Sequence, residues 1–285
     1  PAADDTEVRI VYTADAIYIG ARMYGDPTTI RRDVARRDVE SPAEQFIVSL
    51  DTYHDGRTAY SFAVTASGGR LDYHHAADNQ GNRDYTFDPV WEAAAHVDAE
   101  GWAAEMRIPF TQLRFSPAEE QVWGANFVRR RPALQEESMW RLVRRDETGW
   151  ASRMGELRLV GVRATGRLEF QPYLTSRGTL ASVTDPDDPF SDPRELSMGI
   201  GGDFKAGLGP NLTLDVTVNS DFGQVEADPA VVNLSAFEVF FDERRPFFTE
   251  GLQLFEFGNF FYSRRIGAQP QGQASADYVE GPENT

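Results

Sequence analysis

Hydrophobic and polar residues alternate along residues 90–117, and this alternation predicts a β-hairpin. Residues 98–101 (DAEG) have the composition of a turn, with a glycine available for a positive φ angle. If the chain folds back there so that the residues on either side of the turn pair, eight apolar side chains share one face. They are Trp91, Ala93, Ala95, Val97, Trp102, Ala104, Met106 and Ile108. The opposite face carries Glu92 across from Arg107, so we expect one buried face and one solvated face.

The same period of two recurs on both sides of this hairpin. Ahead of it, strands are predicted at 7–12, 16–24, 45–51 and 59–66, and after Gly166 longer strands are predicted at 168–177, 196–206 and 211–219. Helix signals are few. We therefore expect a mainly β protein in two parts, with a β-sandwich over residues 1–160 and a β-strand extension over residues 161–285.

The composition excludes several classes of function. Asp and Glu number 45 against 28 Lys and Arg, which gives a formal net charge of −17. A chain this acidic is a poor match for nucleic acid, because phosphate neutralisation requires a basic surface. Cysteine is absent, so no thiol chemistry is expected. No apolar run reaches about 18 residues, so no transmembrane helix is predicted.

Tryptophans are the first candidates for sugar binding, because aromatic rings stack on sugar rings. Trp91 and Trp102 fall on the buried face of the hairpin and are predicted core residues. Trp140 and Trp150 lie among Arg and Glu residues, so we expect both to be exposed. Even for these two, packing or stacking on an arginine is favoured over a role as a sugar platform. The candidate carbohydrate-binding residues are Trp140, Trp150 and Tyr85.

A polar loop over residues 78–88 (DNQGNRDYTFD) suggests a calcium site, because calcium prefers oxygen ligands supplied by a turn. The spacing is not that of an EF-hand, and loops rich in Asp and Asn are more often simply solvated. The candidate ligands are Asp78, Asn82, Asp84 and Asp88. Calcium is the only cofactor that the sequence suggests.

Known catalytic motifs are missing from the sequence, which has no nucleophile elbow, phosphate-binding loop or dinucleotide fingerprint. Glu92 and Glu105 lie diagonally on the polar face of the hairpin, at a separation that a glycosidase could use. However, Arg107 opposite Glu92 would keep that carboxylate ionised, which does not suit a general acid. We therefore expect no catalytic residues, and a glycoside hydrolase is the less favoured alternative.

Residues 237–262 contain ten Phe or Tyr residues. Such a run either packs within the chain or forms an interface with a partner or a membrane. We favour the interface. Its candidate residues are Phe240, Phe241, Arg244, Arg245, Phe247, Phe248, Phe260, Phe261 and Tyr262.

Several stretches together resemble the DUF5916 proteins of bacteria. They include LDTYHDGRTAYSF (50–62), WGANFVRRR (123–131), NSDFGQVEADPAVVNLSAFEVFFDERRPFFTEG (219–251) and FYSRRIG (261–267). The N-terminal half of these proteins is similar to the family 9 carbohydrate-binding module (CBM9), a β-sandwich, and longer members continue into an outer-membrane β-barrel. The resemblance implies a CBM9-like β-sandwich with a C-terminal β extension related to the start of such a barrel. It also implies an exported protein, either periplasmic or associated with the outer membrane.

The resemblance and the residues together predict a non-catalytic role, since a fold alone does not establish an activity. The favoured hypothesis is a structural or accessory subunit that docks from the periplasmic side on a membrane-embedded protein complex or an outer-membrane barrel. The alternative is a carbohydrate-binding protein of the cell envelope, acting in glycan uptake or attachment. Neither hypothesis requires nucleic acid.

Overall fold

The computed structural model describes residues 2–144, 146–163, 166, 168–180, 194–209, 212–219, 243, 246–249 and 262–263. Its strands are β1 (Thr6–Tyr12), β2 (Ala16–Tyr24), β3 (Gln45–Asp51), β4 (Ala59–Thr65), β5 (Arg70–His75), β6 (Glu92–Asp98), β7 (Gly101–Pro109), β8 (Glu120–Arg131), β9 (Glu136–Met139), β10 (Gly155–Val160), β11 (Leu168–Leu180), β12 (Arg194–Gly207) and β13 (Thr213–Val218). Single turns of 3-10 helix cover Pro27–Thr29, Phe110–Gln112, Pro132–Leu134 and Ala151–Arg153, and α1 covers Pro246–Thr249. The prediction of a mainly β protein is confirmed.

Strands β1 to β10 form two antiparallel sheets. The first has the order β1-β2-β7-β6, and the second has the order β10-β8-β3-β4-β5, with β9 paired to β8. One cluster of buried apolar side chains draws on the facing surfaces of both sheets, which is the arrangement of a β-sandwich. Contacts divide the chain into a unit of residues 1–167 with 206–213 and a second unit of residues 168–205 with 214–285.

The predicted hairpin around Gly101 is present in the expected register. Its cross-strand pairs include Val97–Trp102, Ala95–Ala104, Ala93–Met106 and Glu92–Arg107. Gly101 has a φ of +139°, and a Cβ there would lie 2.1 Å from the carbonyl oxygen of Met23, so only glycine fits. The apolar side chains of β6 are only partly buried, because β6 is the edge strand of its sheet.

Aromatic rings fill the space between the two sheets. Trp91 is 2% exposed and Trp102 is fully buried, which confirms that both are core residues. Trp91 meets Phe62 of the second sheet edge to face, with ring centroids 5.2 Å apart. Phe110 contacts Trp123 in the same way at 6.0 Å. Such pairs add packing energy beyond the area that they bury.

The second sheet is buried on its outer face as well as its inner face. Every residue of β3 is buried, including the polar ones, and β4 is nearly the same. A second apolar cluster covers this outer face around Ile47, Leu71 and Tyr73, with Tyr85 and Met139 packed against it. Because both faces are covered, the simple alternation of apolar and polar residues is lost in β3.

A buried ion pair links the two sheets. Glu44, which immediately precedes β3, and Arg129 of β8 are each 2% exposed. The Nε of Arg129 donates to Glu44 Oε1 at 2.8 Å, and the indole N–H of Trp102 donates to the same oxygen at 2.8 Å. Arg129 Nη1 also donates to the carbonyl of Tyr24 at the end of β2, at 2.8 Å. Residues from both sheets therefore share one pair of opposite charges.

The second unit contains a three-stranded sheet of order β11-β12-β13. One of its faces is apolar and exposed, with nine side chains between 39% and 77% exposed: Leu168, Phe170, Leu174, Leu196, Met198, Ile200, Leu214, Val216 and Val218. The opposite face carries Tyr173 and Thr175 beside glycines of β12, and a Lys205–Asp215 ion pair. No helix in the described part of the chain has the length and apolarity to cross a membrane.

We predict that Glu44→Gln lowers the free energy of unfolding by about 3–5 kcal/mol. Glutamine keeps an acceptor for Trp102 but leaves the buried Arg129 charge uncompensated. Urea unfolding at pH 7 measures the loss. Glu92→Gln is the matched control, because Glu92 pairs with Arg107 on the exposed face at 3.2 Å and should contribute little. Equal losses in the two variants would show that the buried pair does not stabilise the sandwich.

Candidate functional site

A cleft of about 480 Å³ opens at one edge of the sandwich. Its walls are the first strand, the segment that precedes it, and the edge of the second sheet formed by β8, β9 and β10. The lining residues are Ala2, Asp4, Asp5, Thr6, Val8, Ile10, Phe46, Ala125, Phe127, Arg129, Ser138, Met139, Trp140, Glu156 and Leu157. An apolar interior with a few polar groups, in the volume range of about 300–1,000 Å³, is typical of a small-molecule site.

A row of aromatic rings runs from the core to the rim of this cleft. Phe46 is buried and lies parallel to Phe127, with centroids 6.4 Å apart. Phe127 in turn contacts Trp140 at 5.6 Å. Trp140 is 53% exposed at the rim, as predicted, and lines the cleft. The row therefore ends in an accessible indole that is supported from within.

Trp140 is also seated on the backbone of the neighbouring strand. A Cβ at Gly155 would lie 2.3 Å from two atoms of the Trp140 ring, so a glycine is needed for the ring to lie where it does. The guanidinium of Arg141 is 5.4 Å from the ring centroid of Trp140. The buried Asn126 side chain accepts from the N–H of Arg141 at 2.9 Å and donates to its carbonyl at 3.0 Å. These contacts fix the position of the indole.

Charged groups lie on the cleft walls. Asp4, Asp5 and Glu156 contribute carboxylates, and Arg129 contributes a guanidinium whose charge Glu44 offsets. Asp4 Oδ2 accepts from the buried Arg131 at 2.6 Å, whereas Glu156 accepts from Arg158 at 3.1 Å on the surface. An exposed aromatic ring beside polar groups that can bond hydroxyls is an arrangement able to hold a sugar.

The other two predicted sugar-binding residues are not in the cleft. Trp150 is only 4% exposed, so the expectation that it is accessible was wrong. It packs on His75 with centroids 4.2 Å apart, beneath a turn that Asp78 holds in place. Tyr85 is half-buried on the outer face of the second sheet, where its hydroxyl donates to Glu40 at 2.9 Å. Of the three, Trp140 alone lines the cleft.

The four predicted calcium ligands do not come together. Asp78 accepts from the Ser152 N–H at 3.1 Å and from the Ser152 hydroxyl at 2.6 Å, so its carboxylate stabilises a turn. Asp84 accepts from the Thr86 N–H at 2.9 Å, and Asn82 is exposed. The carboxylates of Asp78 and Asp84 serve local turn contacts, and a calcium site in this loop stays a prediction.

Asp88 instead joins a different group of acids. Its ligand oxygen lies within 4.8 Å of those of Asp38 and Asp72, and no other such metal-binding group occurs in the described residues. Arg37 sits among these acids, 2.9 Å from Asp72 and 2.8 Å from Asp88. Burial raises the pKa of Asp72 to about 6. The Arg37 guanidinium therefore supplies positive charge between the carboxylates of Asp72 and Asp88.

Most of the predicted partner interface lies outside the described residues. Phe240, Phe241, Arg244, Arg245, Phe260 and Phe261 belong to that part of the chain. Phe247 and Phe248 lie in α1, with their rings edge to face at 5.0 Å, and Phe247 is 39% exposed. Tyr262 is half-buried. Whether this segment binds a partner stays a prediction.

Several residues of the cleft were not anticipated from the sequence. Arg129 was visible as the first member of an arginine run, but nothing nearby in the sequence marks Glu44 as its partner. Gly155 has no sequence signal, because its importance comes from a side chain that packs over it.

The described fold is that of a mainly β protein built on a β-sandwich. Residues 164–284 match the model of the DUF5916 family, a domain of unknown function, so the resemblance seen in the sequence is confirmed over that stretch. The relation to membrane-spanning strands stays a prediction. The comparison with curated proteins gave no significant match.

Two solved structures are similar to this chain. One is a CBM9 from Caldicellulosiruptor kristjanssonii in complex with cellotriose, at 15% identity and a TM-score of 0.39, covering 56% of this chain and 77% of the other. The second is a CBM9 from the same organism in complex with glucose, at 15% identity and a TM-score of 0.41, covering 58% and 81%. Scores this low carry no argument about what the present chain binds.

We predict that acid destabilises this protein partly through His75. Its Nδ1 donates to the carbonyl of Asn79 at 3.2 Å, and in the neutral ring its Nε2 accepts from the Ser61 hydroxyl at 3.1 Å. Burial lowers the pKa of His75 from 6.5 to about 4. The unfolded chain therefore binds a proton first, and stability present above pH 6.5 is lost as the pH falls towards 4. The His75 contribution to the free energy of unfolding that is lost over this range is about 3 kcal/mol.

Urea unfolding between pH 7 and pH 4 tests this prediction. His75→Gln should flatten the fall in stability, whereas His96→Gln, at an exposed position, should leave it unchanged. Asp72 acts in the opposite direction, because an acid with a raised pKa favours the folded state as the pH falls. If the free energy of unfolding of His75→Gln falls with pH as steeply as that of the unaltered protein, His75 is not a source of the acid destabilisation.

Proposed function

We propose that this protein binds carbohydrate in the cleft at the edge of the sandwich and does not catalyse a reaction on it. The observation that carries the proposal is Trp140, an indole 53% exposed at the rim of a cavity of about 480 Å³. The flat face of this accessible indole suits a pyranose ring, because aromatic rings stack on sugar rings. The cleft thus favours the carbohydrate-binding alternative over the docking hypothesis.

The rigidity of the platform supports the same proposal. Trp140 lies against Gly155 and Phe127, so little side-chain entropy remains to be lost when a ligand stacks on it. Serine and carboxylate oxygens of the lining can accept hydrogen bonds from sugar hydroxyls. The hypothetical glycosidase pair, Glu92 and Glu105, belongs to the outer face of the first sheet and does not line the cleft.

We expect Trp140→Ala to weaken glycan binding at least tenfold, about 1.4 kcal/mol. Titration with cello- and xylo-oligosaccharides, followed by tryptophan fluorescence and calorimetry, measures the affinity. Gly155→Val should weaken binding as well, because the added side chain displaces the indole from its seat. Trp140→Tyr, which keeps an aromatic face, is the control and should retain most of the affinity.

Two results would refute carbohydrate binding at this place. One is a glycan array on which the intact protein binds nothing. The other is a glycan that binds the unaltered protein and the Trp140→Ala variant with the same affinity. Such a glycan makes no contact with the Trp140 ring and therefore binds at another place. Melting temperatures of all variants separate loss of binding from loss of fold.

A second function is favoured by the exposed apolar face of β11, β12 and β13. Monomeric soluble proteins rarely expose apolar patches larger than about 300–600 Å², and this face presents nine apolar side chains on adjacent strands. The proposed role is attachment to a membrane or a membrane-embedded complex, on the periplasmic side of an outer membrane. The two functions are compatible, since they use different units of the chain.

Met198→Glu should reduce attachment to membranes several-fold, because it places a charge in the middle of the apolar face, at a position 74% exposed. Ser197→Glu is the matched control. It adds the same charge to the adjacent residue of β12, which points to the opposite face. Flotation with phospholipid vesicles and recovery in the native membrane fraction measure attachment. Equal recovery of both variants and the unaltered protein would argue against this role.

A further inference from the structure

We propose that the cleft selects sugars by charge, binding amino sugars with a free ammonium group most tightly, neutral sugars less tightly and uronic acids least. This inference rests on the proposed carbohydrate function. It concerns the two cleft carboxylates that have no strong cationic partner, Asp5 and Glu156, which are called the acidic rim below.

The charge of the cleft wall is negative once internal ion pairs are removed. Arg129 is the cation of the lining, and Glu44 offsets it through a buried contact of 2.8 Å. Asp4 is likewise offset by the buried Arg131 at 2.6 Å. These two pairs hold the fold together and present no net charge to a ligand. The negative charge that remains on the cleft wall belongs to the acidic rim.

Both members of the acidic rim can reach a ligand. Both are exposed, and in the described part of the chain no cation contacts the Asp5 side chain. Glu156 contacts Arg158 at 3.1 Å, but these side chains are 54% and 62% exposed. An exposed pair of this kind contributes little, is screened by salt and is easily exchanged for a ligand cation. The rim therefore offers acceptors for an ammonium group and repels a carboxylate.

The indole adds a second attraction for a cation. The face of a tryptophan ring is the best aromatic partner for an ammonium or guanidinium group. Trp140 already accepts one, since the guanidinium of Arg141 lies 5.4 Å from its centroid. Arg141 is not among the residues that line the cleft. A sugar ammonium bound in the cleft would have the indole and the acidic rim as neighbours.

Three β-1,4-linked tetrasaccharides that differ in one substituent per ring provide the test. They are the glucosamine tetramer, cellotetraose and the glucuronate tetramer. At pH 5 the amines are largely protonated and the uronate carboxylates are ionised, since the amino group of an amino sugar titrates about one to two units above this pH and a carboxyl group about one unit or more below it. In low salt we expect the amine to bind roughly fivefold tighter than cellotetraose, and the uronate roughly fivefold weaker. The differences should shrink in 0.5 M salt, where screening is strong.

The double variant Asp5→Asn, Glu156→Gln should bring the three affinities to within about twofold of one another. Glu92→Gln, Glu105→Gln is the matched control, because it changes the net charge equally on a face outside the cleft. It should leave the order intact. Neither pair of substitutions alters the Trp140 platform.

The outcomes separate this inference from the function on which it rests. If cellotetraose binds but the amine binds no tighter, or the uronate no weaker, charge selection is wrong and carbohydrate binding stands. Charge selection is equally wrong if the order survives in the acidic-rim variant or disappears in the control. If none of the three ligands binds, and no other glycan does, the proposed function itself fails.

Discussion

The sandwich depends on one buried pair of opposite charges, Glu44 and Arg129, which lie in or next to paired strands of the second sheet and are bonded to groups of the first. Isolating a single carboxylate or guanidinium from water costs several kcal/mol, so the two charges must pair with each other when the first sheet covers them. Their hydrogen bonds reach Trp102 on the first sheet and the backbone at the end of β2. This requirement fixes how one sheet lies on the other, which nonspecific apolar packing alone would fix less precisely.

The cleft follows from the same arrangement. Arg129 lies on the inner face of β8 near the edge where β1 ends the first sheet, and it forms part of the cleft wall. Beyond it the aromatic row leads outward to Trp140, whose position depends on a glycine in β10 and on the backbone contacts of Asn126. The proposed platform is thus held by paired strands, because Trp140 directly follows β9 and its backbone N–H donates to the carbonyl of Phe127 in β8.

The sequence predicted those features that depend on short-range periodicity. The hairpin register around Gly101 and the burial of Trp91 and Trp102 follow from the alternation of residues that lie within about twenty positions. The burial of Trp150 could not be predicted in that way, because Trp150 lies outside the strands and has no alternating pattern around it. It is covered through Asp78, which lies 72 residues earlier and anchors the turn. Gly155 likewise matters only through a ring from another strand.

The second sheet and the sheet of β11 to β13 differ in what covers their faces. In β3 and β4, loops that contain Asp78 and Trp150 shield the outer face, so polar groups such as Ser61 and His75 are bonded to one another beneath them. In β11 to β13 the apolar face has no such cover within the described residues. In the second sheet, whose faces are both covered, the cleft lies at an edge. The exposed face of β11 to β13 presents apolar area, which suits a flat apolar partner.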